Sequence, residues 1–311
     1  MKKTAVLLLL LTSGVAQAAW PERPVQVIVP YAAGAATDVL ARALIETMRE
    51  RVGANFVIVN RDGASATLGA AQIAQARADG YTLGFTAIGP ITIQPHLNTQ
   101  LTYRPNSFDA ICQTFDLPFA IAVTPSSRFK SLQDLIAAAR AEPGRLNYGV
   151  TGTATVPHLA MIGWQLASGL KFTDVPYRGE TLALAPLQNG DLDFAVVTPG
   201  FGYTQGLRLF ATFTEKRVTE VEDVPTLGEF GWPVVQTVPG GLLAPAGLDK
   251  ALVARLESAC EAAVRSERYT AIIKQTRQPQ VYKGAAAFAQ EIAADYAAKG
   301  DLIARGGFKT Q

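Results

Sequence analysis

The stretch VQVIVPYAAGAATDVLARAL, residues 25–44, predicts a β-strand, a loop of small residues and an α-helix in direct succession. The strand is rich in β-branched residues, and helical spacing of apolar residues begins at Asp38. Further strands are predicted over residues 55–59, 81–85, 120–123, 146–150, 172–175, 192–197 and 207–213. Helices are predicted over residues 38–51, 70–78, 132–141, 157–168, 181–188, 252–266 and 285–299. Strands that alternate with helices predict an α/β fold with largely parallel sheets and helices on both faces.

The N-terminal segment has the three parts of a secretory signal peptide. Lys2 and Lys3 precede an apolar run, and the small-residue ending Ala16-Gln17-Ala18 predicts cleavage after Ala18. The run is shorter than the ~20 residues that cross a bilayer. An uncleaved anchor is the alternative interpretation. The sequence therefore predicts an exported protein.

Composition and charge favour a packed globular protein without nucleic-acid chemistry. The chain has 28 Lys+Arg and 26 Asp+Glu among 311 residues, and removal of Lys2 and Lys3 with the signal leaves 26 of each. A neutral chain without clustered basic residues argues against binding to phosphate backbones. A hydrophobic fraction of 49% and a charged fraction of 17% fit one large domain or two lobes.

Two cysteines, Cys112 and Cys260, occur in a chain that is predicted to be exported. An oxidising compartment allows them to form a disulfide, and two buried thiols are the alternative. With His96 and His158 they lack the close spacing of a zinc site, so no metal is predicted.

Three loops at the ends of predicted strands carry the candidate ligand-binding groups. The loop over residues 31–38 has small residues that leave backbone N–H groups open to an anion. The loops over residues 63–67 and 151–155 add hydroxyl groups that can donate to a carboxylate. Asp38 is either a helix cap or a group that orders water or a ligand amine. Arg178 either supplies the positive charge of the site or takes part in a solvated or structural ion pair.

The sequence contains no recognisable catalytic set. His96 and His158 lie in different units, and Ser65 is not part of a G-x-S-x-G turn. No phosphate-binding G-x-x-x-x-G-K-[ST] motif is present. We therefore expect no enzyme activity and no cofactor.

Seven strings in order resemble one family of receptors. They are WPERP (20–24), VIVPYAAGAATDVLAR (27–42), VNRDGASATLGA (59–70), DGYTLGFTAIG (79–89), LNYGVTGTATVPHLA (146–160), VPYRG (175–179) and GLLAPAG (241–247). Together they resemble the periplasmic solute receptors of tripartite tricarboxylate transporters, also called Bordetella uptake gene proteins. The resemblance implies a two-lobed type II periplasmic binding fold, in which each lobe is a mostly parallel sheet flanked by helices. It also implies a monomer that closes on a small carboxylate and delivers it to a two-subunit membrane permease.

The resemblance implies a division of the mature chain into lobes. The first lobe would comprise residues 19–116 and 238–311, and the second lobe residues 117–237. Hinge strands are expected over 115–122 and 236–243. The two C-terminal helices would pack on the first lobe, which places Cys112 and Cys260 together in it.

The resemblance also implies the residues that would contact the ligand, with residues 86–89 lining the floor of the pocket. The implied contacts are Tyr31, Gly34, Ala35, Ala36, Thr37, Asp38, Ser65, Ala66, Thr67, Thr86, Ile88, Thr151, Gly152, Thr153, Tyr177, Arg178 and Thr198.

Three positions depart from the family pattern. Ala33 and Gly34-Ala35 replace a proline and paired glycines, and Ser65-Ala66 replaces glycines, so a slightly more crowded floor is expected. Val197 stands where many relatives have an acidic residue, which argues against recognition of an amino group and favours a plain mono- or dicarboxylate. A sensor that presents its ligand to a signalling partner, and a hydrolase on a similar scaffold, are the alternative functions.

Overall fold

A computed structural model describes residues 20–276 and 278–308, so the predicted signal peptide lies outside the described residues. Within the described residues, eleven strands form two sheets. The strands are β1 (Val25–Val29), β2 (Phe56–Asn60), β3 (Thr82–Ala87), β4 (Phe108–Leu117), β5 (Ala120–Val123), β6 (Asn147–Val150), β7 (Thr173–Pro176), β8 (Phe194–Val197), β9 (Arg208–Thr212), β10 (Val238–Pro245) and β11 (Gln280–Gly284).

Helices cover both faces of the sheets, as the alternating sequence pattern predicts. They are α1 (Ala36–Val52), α2 (Thr67–Ala74), α3 (Gly89–Thr92), α4 (Gln94–Leu97), α5 (Leu132–Ala141), α6 (Val156–Ser168), α7 (Glu180–Asn189), α8 (Pro199–Thr204), α9 (Lys250–Val264), α10 (Glu267–Gln275) and α11 (Ala285–Arg305). Not one of these described helices has both the length and the apolar character needed to span a membrane.

The strand order divides the fold into two lobes. The first sheet has the order β11-β4-β10-β3-β1-β2, and the second has the order β7-β6-β8-β5-β9. In the first sheet β1 pairs parallel with β2 and β3, while β10 pairs antiparallel with β3 and β4, and β11 antiparallel with β4. In the second sheet β6 pairs parallel with β7 and β8, while β5 pairs antiparallel with β8 and β9.

The predicted two-lobed α/β fold is confirmed, and most strands of each sheet run in one direction: β1 to β4 in the first sheet and β6 to β9 in the second. The antiparallel pairs have a physical cause in the path of the chain. The chain leaves the first sheet along β4, enters the second along β5 and returns along β10, so β5 and β10 both run against the parallel strands beside them. The expected lobe boundaries after residues 116 and 237 stay a prediction.

Each sheet is buried between helices. On one face of the first sheet, apolar residues of α1, α9 and α10 form a core that includes Leu44, Leu256 and Tyr269. On its other face, α2, α3 and α11 supply a second core. The second sheet packs against α5 and α6 on one face and α7 on the other. The loops at the strand ends are therefore held on rigid layers.

The disulfide Cys112–Cys260 joins β4 to α9, with a Cα–Cα distance of 6.6 Å and both residues fully buried. Of the two interpretations of the cysteines, the bridge is the one found. Both of its ends lie in the core that contains the first sheet. The bridge therefore braces this sheet against its covering helix.

The last helix, α11, contacts both lobes. Phe288 and Ile292, near its start, belong to a core of the first sheet, whereas Ile303 near its end belongs to the core of the second sheet. The expectation that both C-terminal helices cover the first lobe holds for α9 and for the first half of α11. The second half of α11 reaches the other lobe, where Leu302, Ile303 and, just beyond the helix, Phe308 pack in the core of the second sheet.

Candidate functional site

The directions of the strands bring two sets of loops to the space between the lobes. β3 and β4 run the same way because both are antiparallel to β10, and β4 leads into the second lobe. The carboxyl ends of β1, β2 and β3 therefore point towards the second lobe. By the same argument, β6, β7 and β8 run against β5 and point back towards the first lobe. Ligands of open α/β sheets bind beyond these carboxyl ends.

The helices that follow these six strands are uncapped. The N-cap residues of α1, α2, α3, α6, α7 and α8 make no side-chain hydrogen bond to the helix. In contrast, Ser131, Asp249 and Ser266 cap α5, α9 and α10. α5 and α9 follow β5 and β10, so they begin at the outer edges of the sheets. The inner edges therefore keep free N–H donors and positive helix dipole ends, which favour an anion.

Asp38 holds the first loop of the first lobe in place. Its carboxylate accepts the N–H of Gly34 at 2.8 Å, the guanidinium of Arg42 at 2.9 and 3.0 Å and the side-chain amide of Asn60 at 2.9 Å. Burial alone would raise the pKa of Asp38, but these hydrogen bonds lower it below its usual range. Both oxygens are engaged within the protein. Asp38 is neither the N-cap, which is Ala35, nor free to meet a ligand directly.

The second loop of the first lobe has three consecutive residues in the left-handed region. Ala64, Ser65 and Ala66 have φ angles of 47°, 56° and 68°, although none is glycine. Such residues cost about 1–3 kcal/mol each and persist where the surroundings fix them, often at ligand sites. Here Thr67 donates its hydroxyl to the carbonyl of Ala64 at 2.7 Å. The turn from left-handed Ala66 to right-handed Thr67 aligns successive N–H groups into an anion-binding concavity.

The floor between these two loops is formed at the end of β3. Burial raises the pKa of Tyr31, and the neighbouring side chain of Thr86 and backbone of Ala87 partly offset this rise. Thr86 is fully buried and donates to the carbonyl of Ala87 at 2.9 Å. Ile88 is also buried. These contacts bring the implied floor residues together with Tyr31 of the first loop.

The loop after β6 is braced by a buried histidine. His158 accepts the backbone N–H of Ala154 through Nδ1 at 3.1 Å, and Ala154 has a left-handed φ of 55°. Burial lowers the pKa of His158, while Asp174, with Oδ2 at 3.8 Å from Nε2, opposes the shift. A neutral ring with its proton on Nε2 satisfies both contacts. The loop carries Thr151 and Gly152, which are half-buried, and Thr153, which is exposed.

One residue at this site was missed by the sequence analysis. Glu180, the first residue of α7, accepts the backbone N–H of Thr198 through Oε1 at 2.6 Å and the hydroxyl of Thr198 through Oε2 at 3.0 Å. Desolvation raises the pKa of Glu180 to about 7, and the bonds from Thr198 partly offset this rise. An acidic residue in the first turn after the VPYRG string was the available signal.

The turn after β7 is anchored through its backbone and exposes the side chain of Arg178. The backbone N–H of Tyr177 donates to Val150 at 2.8 Å, which ties the turn to the end of β6. Arg178 is exposed, and among the described residues it has no recorded ion pair. Its guanidinium is therefore available to an anion in the cleft.

The implied contacts form two groups, one on each lobe. Tyr31, Gly34–Asp38, Ser65–Thr67, Thr86 and Ile88 belong to the first lobe, and Thr151–Thr153, Tyr177, Arg178 and Thr198 to the second. Within the described chain, no hydrogen bond or ion pair joins the two groups. Hydrogen bonds of His96 and His158 go to backbone groups of Tyr296 and Ala154. The described residues hold no cluster of three or more metal-ligating side chains.

The fold consists of two α/β lobes joined by crossing strands, and loops that favour an anion lie on both sides of the cleft between them. These features define the class of two-lobed solute receptors with the type II periplasmic binding fold.

Comparison with known proteins identifies the family within this class. The family model described as TctC, tripartite tricarboxylate transporter family receptor, matches residues 40–308. The chain therefore belongs to the TctC family of receptors. A protein of Cupriavidus necator, named for its place in the gbd 5′ region, is 32% identical over 275 residues, 87% of this chain and 84% of that protein.

Two solved structures with bound ligands are similar over most of the chain. An R. palustris protein solved with adipate is 27% identical with a TM-score of 0.79, and the match covers 94% of this chain and all of that chain. MatC from Rhodopseudomonas palustris with bound malate is 25% identical with a TM-score of 0.74, covering 91% of this chain and all of that chain. The predicted family is thus confirmed.

Proposed function

We propose that this protein is a periplasmic receptor that captures a small carboxylate between its lobes and delivers it to a two-subunit membrane permease. The observation that carries the proposal is the contrast in helix capping. Helices that begin at the cleft are uncapped, whereas α5, α9 and α10, which begin elsewhere, carry side-chain caps, and the first N–H of α11 donates to the carboxylate of Glu257. Uncapped N-termini that converge on one space favour an anion.

The first lobe supplies the better-organised half of the proposed site. Asp38 fixes the loop that precedes α1, and the left-handed turn over residues 64–66 presents the N–H groups that precede α2. Both loops present backbone donors, and the guanidinium of Arg42 beside the first loop is engaged by Asp38. We infer that one ligand carboxylate binds here through N–H groups and ordered water. The ligands in the two related structures, adipate and malate, are both dicarboxylates.

The second lobe would complete the site by closing over the ligand. The chain crosses between the sheets at residues 117–120 and again at residues 236–238, and few residues need to change conformation there. Hinge closure about such crossings sequesters a ligand from water. In this proposal Thr151, Thr153, Arg178 and Thr198 contact the ligand only in the closed form.

Thermal unfolding of the mature chain, residues 19–311, tests the capture of a carboxylate. The protein is first unfolded and refolded without reductant to remove any ligand that copurified. A ligand present at a hundred times its Kd raises the free energy of unfolding by about 2.7 kcal/mol. We expect at least one acid among succinate, malate, glutarate, adipate, benzoate, 4-hydroxybutyrate and 4-aminobutyrate to raise the melting temperature, and its fully esterified form to have no effect. Equal shifts with acid and ester, or no shift with any acid, would overturn the proposal.

The delivery step is tested separately. Cells that express the receptor with the two permease subunits should take up the radiolabelled acid that binds. Uptake should stop when the receptor is omitted and return when it is supplied. Uptake that is independent of the receptor would contradict the transport role and leave the binding role standing.

A further inference from the structure

Glu180 occupies the centre of the cleft-facing edge of the second sheet. It follows β7, while its partner Thr198 follows β8. In the sheet order, β6 lies between β7 and β8. The turn over residues 177–179 and the start of α7 therefore carry Glu180 past the end of β6, where its side chain makes the two bonds with Thr198.

The bonds with Thr198 fix the carboxyl group and leave part of its accepting capacity open. Each carboxylate oxygen has two lone-pair positions, and Thr198 fills one on each oxygen. While the group is ionised, the remaining positions accept hydrogen bonds and cannot donate them. Among the described residues no cation is paired with Glu180, so its charge is compensated only by the two Thr198 donors.

Arg178 differs from Glu180 in being unanchored. It is exposed, whereas Glu180 is half-buried and held by two short hydrogen bonds. An exposed guanidinium without a fixed partner attracts any anion that enters the cleft, with little geometric selection. A fixed carboxylate discriminates strongly, because a second carboxylate placed against it is repelled and a hydrogen-bond donor is favoured.

We propose that Glu180 determines the ligand class of this receptor, so that the ligand combines one carboxylate with a hydroxyl or amino group that donates to Glu180. This inference rests on the proposed function, because it assumes that the first lobe holds the carboxylate. It also replaces the earlier expectation from Val197 that no amino group is recognised. Glu180 places an acidic group beside Thr198 from the start of α7.

Matched ligands of equal length test this inference by isothermal titration calorimetry at about pH 8. The probes are succinate, 4-hydroxybutyrate and 4-aminobutyrate, with the corresponding five-carbon and six-carbon sets up to adipate. At one chain length or more, the wild-type protein should bind the hydroxy or amino acid at least tenfold tighter than the dicarboxylate. The ratio in the wild-type protein is informative even if a variant fails to fold.

Three variants separate the role of Glu180 from general effects. Glu180→Gln keeps an oxygen to accept the N–H of Thr198, and it should reduce the preference for the donor ligand at least tenfold. Arg178→Gln should weaken all the acids alike, and Glu142→Gln, at an exposed ion pair with Arg145, should change nothing.

The outcomes distinguish this inference from the proposed function. A wild-type preference for dicarboxylates at every length, or a preference that Glu180→Gln leaves unchanged, would overturn the role of Glu180 while keeping carboxylate capture. Absence of binding by every probe would overturn both.

Discussion

At the residue scale, the candidate site depends on side chains that hold backbone loops. Asp38 and His158 each accept an N–H from a loop that faces the cleft, and each is almost fully buried. The carboxylate oxygens of Asp38 and the ring nitrogens of His158 all face groups of the protein itself. Their contribution is to pre-organise donors, which lowers the conformational entropy that a ligand would otherwise have to overcome.

Replacement of Asp38 by Asn should disturb both stability and binding. Asn cannot accept from Gly34, Arg42 and Asn60 together, so buried donors are left without partners. We expect the free energy of unfolding to fall by about 1–3 kcal/mol and the affinity for the acid to fall as the loop loosens. Urea unfolding and calorimetry measure the two effects. Asp191→Asn at an exposed position is the control, and equal behaviour of both variants would contradict this role.

The pKa of Glu180 gives a second prediction at this scale. Burial raises it from 4.5 to about 7, so the folded state binds this proton more tightly than the unfolded state. The resulting stabilisation is complete below the unfolded value and is lost as the pH rises through about 7. Glu180→Gln should therefore gain stability relative to the wild-type protein between about pH 5 and about pH 8. Urea unfolding at both pH values measures this, and a difference independent of pH would refute it.

At the element scale, the strand-loop-helix units could be predicted from sequence, because β-branched runs and helical spacing are local signals. The first part of β4, β11 and the helices α3, α4, α8 and α10 were not predicted. β4 carries buried polar residues such as Gln113 and Thr114, which break an apolar pattern, and α10 follows α9 so closely that the two read as one element. The position of Glu180 could not be inferred either, because it depends on β6 lying between β7 and β8.

The helix caps support a paired prediction at the element scale. Ala35 has the extended conformation of an N-cap, with φ −63° and ψ 156°, but no side-chain oxygen. Ala35→Asp should cap α1 and raise the free energy of unfolding by about 1 kcal/mol. It should also abolish ligand binding, because its carboxylate occupies the anion position.

Ser131→Ala is the matched variant at an outer helix. It removes the cap of α5 and should lower the free energy of unfolding by about 1 kcal/mol without altering affinity. Urea unfolding and calorimetry on both variants complete the comparison. Retained binding by Ala35→Asp would show that the N-terminus of α1 does not meet the ligand.

At the scale of the whole molecule, three connections join the lobes: the two crossings of the chain and the helix α11. Lys299 of α11 is buried, bonds to Gln236 beside the second crossing and pairs with Asp295 at 3.3 Å. Family resemblance predicted the crossings, but the spanning role of α11 follows only from the structure. Movement of the lobes therefore has to be accommodated along this helix as well.

The disulfide should affect stability without affecting capture. It joins β4 to α9 within the first lobe and does not cross the hinge. Cys112→Ala combined with Cys260→Ala should lower the free energy of unfolding by about 2–4 kcal/mol. The Kd for the acid should change less than twofold, because the first-lobe loops do not depend on the bridge. A large loss of affinity with unchanged stability would contradict this assignment.

The central claim is that the two sets of loops form one site that closes on a carboxylate. A crystal structure of the mature protein with the acid that gives the largest thermal shift tests it most directly. We predict that one carboxylate lies within hydrogen-bonding distance of N–H groups preceding α1 and α2, directly or through water. The second lobe should then be closed over the ligand, with Glu180 facing its polar end. An acid bound outside the cleft, or bound with its carboxylate away from these N–H groups, would contradict the account.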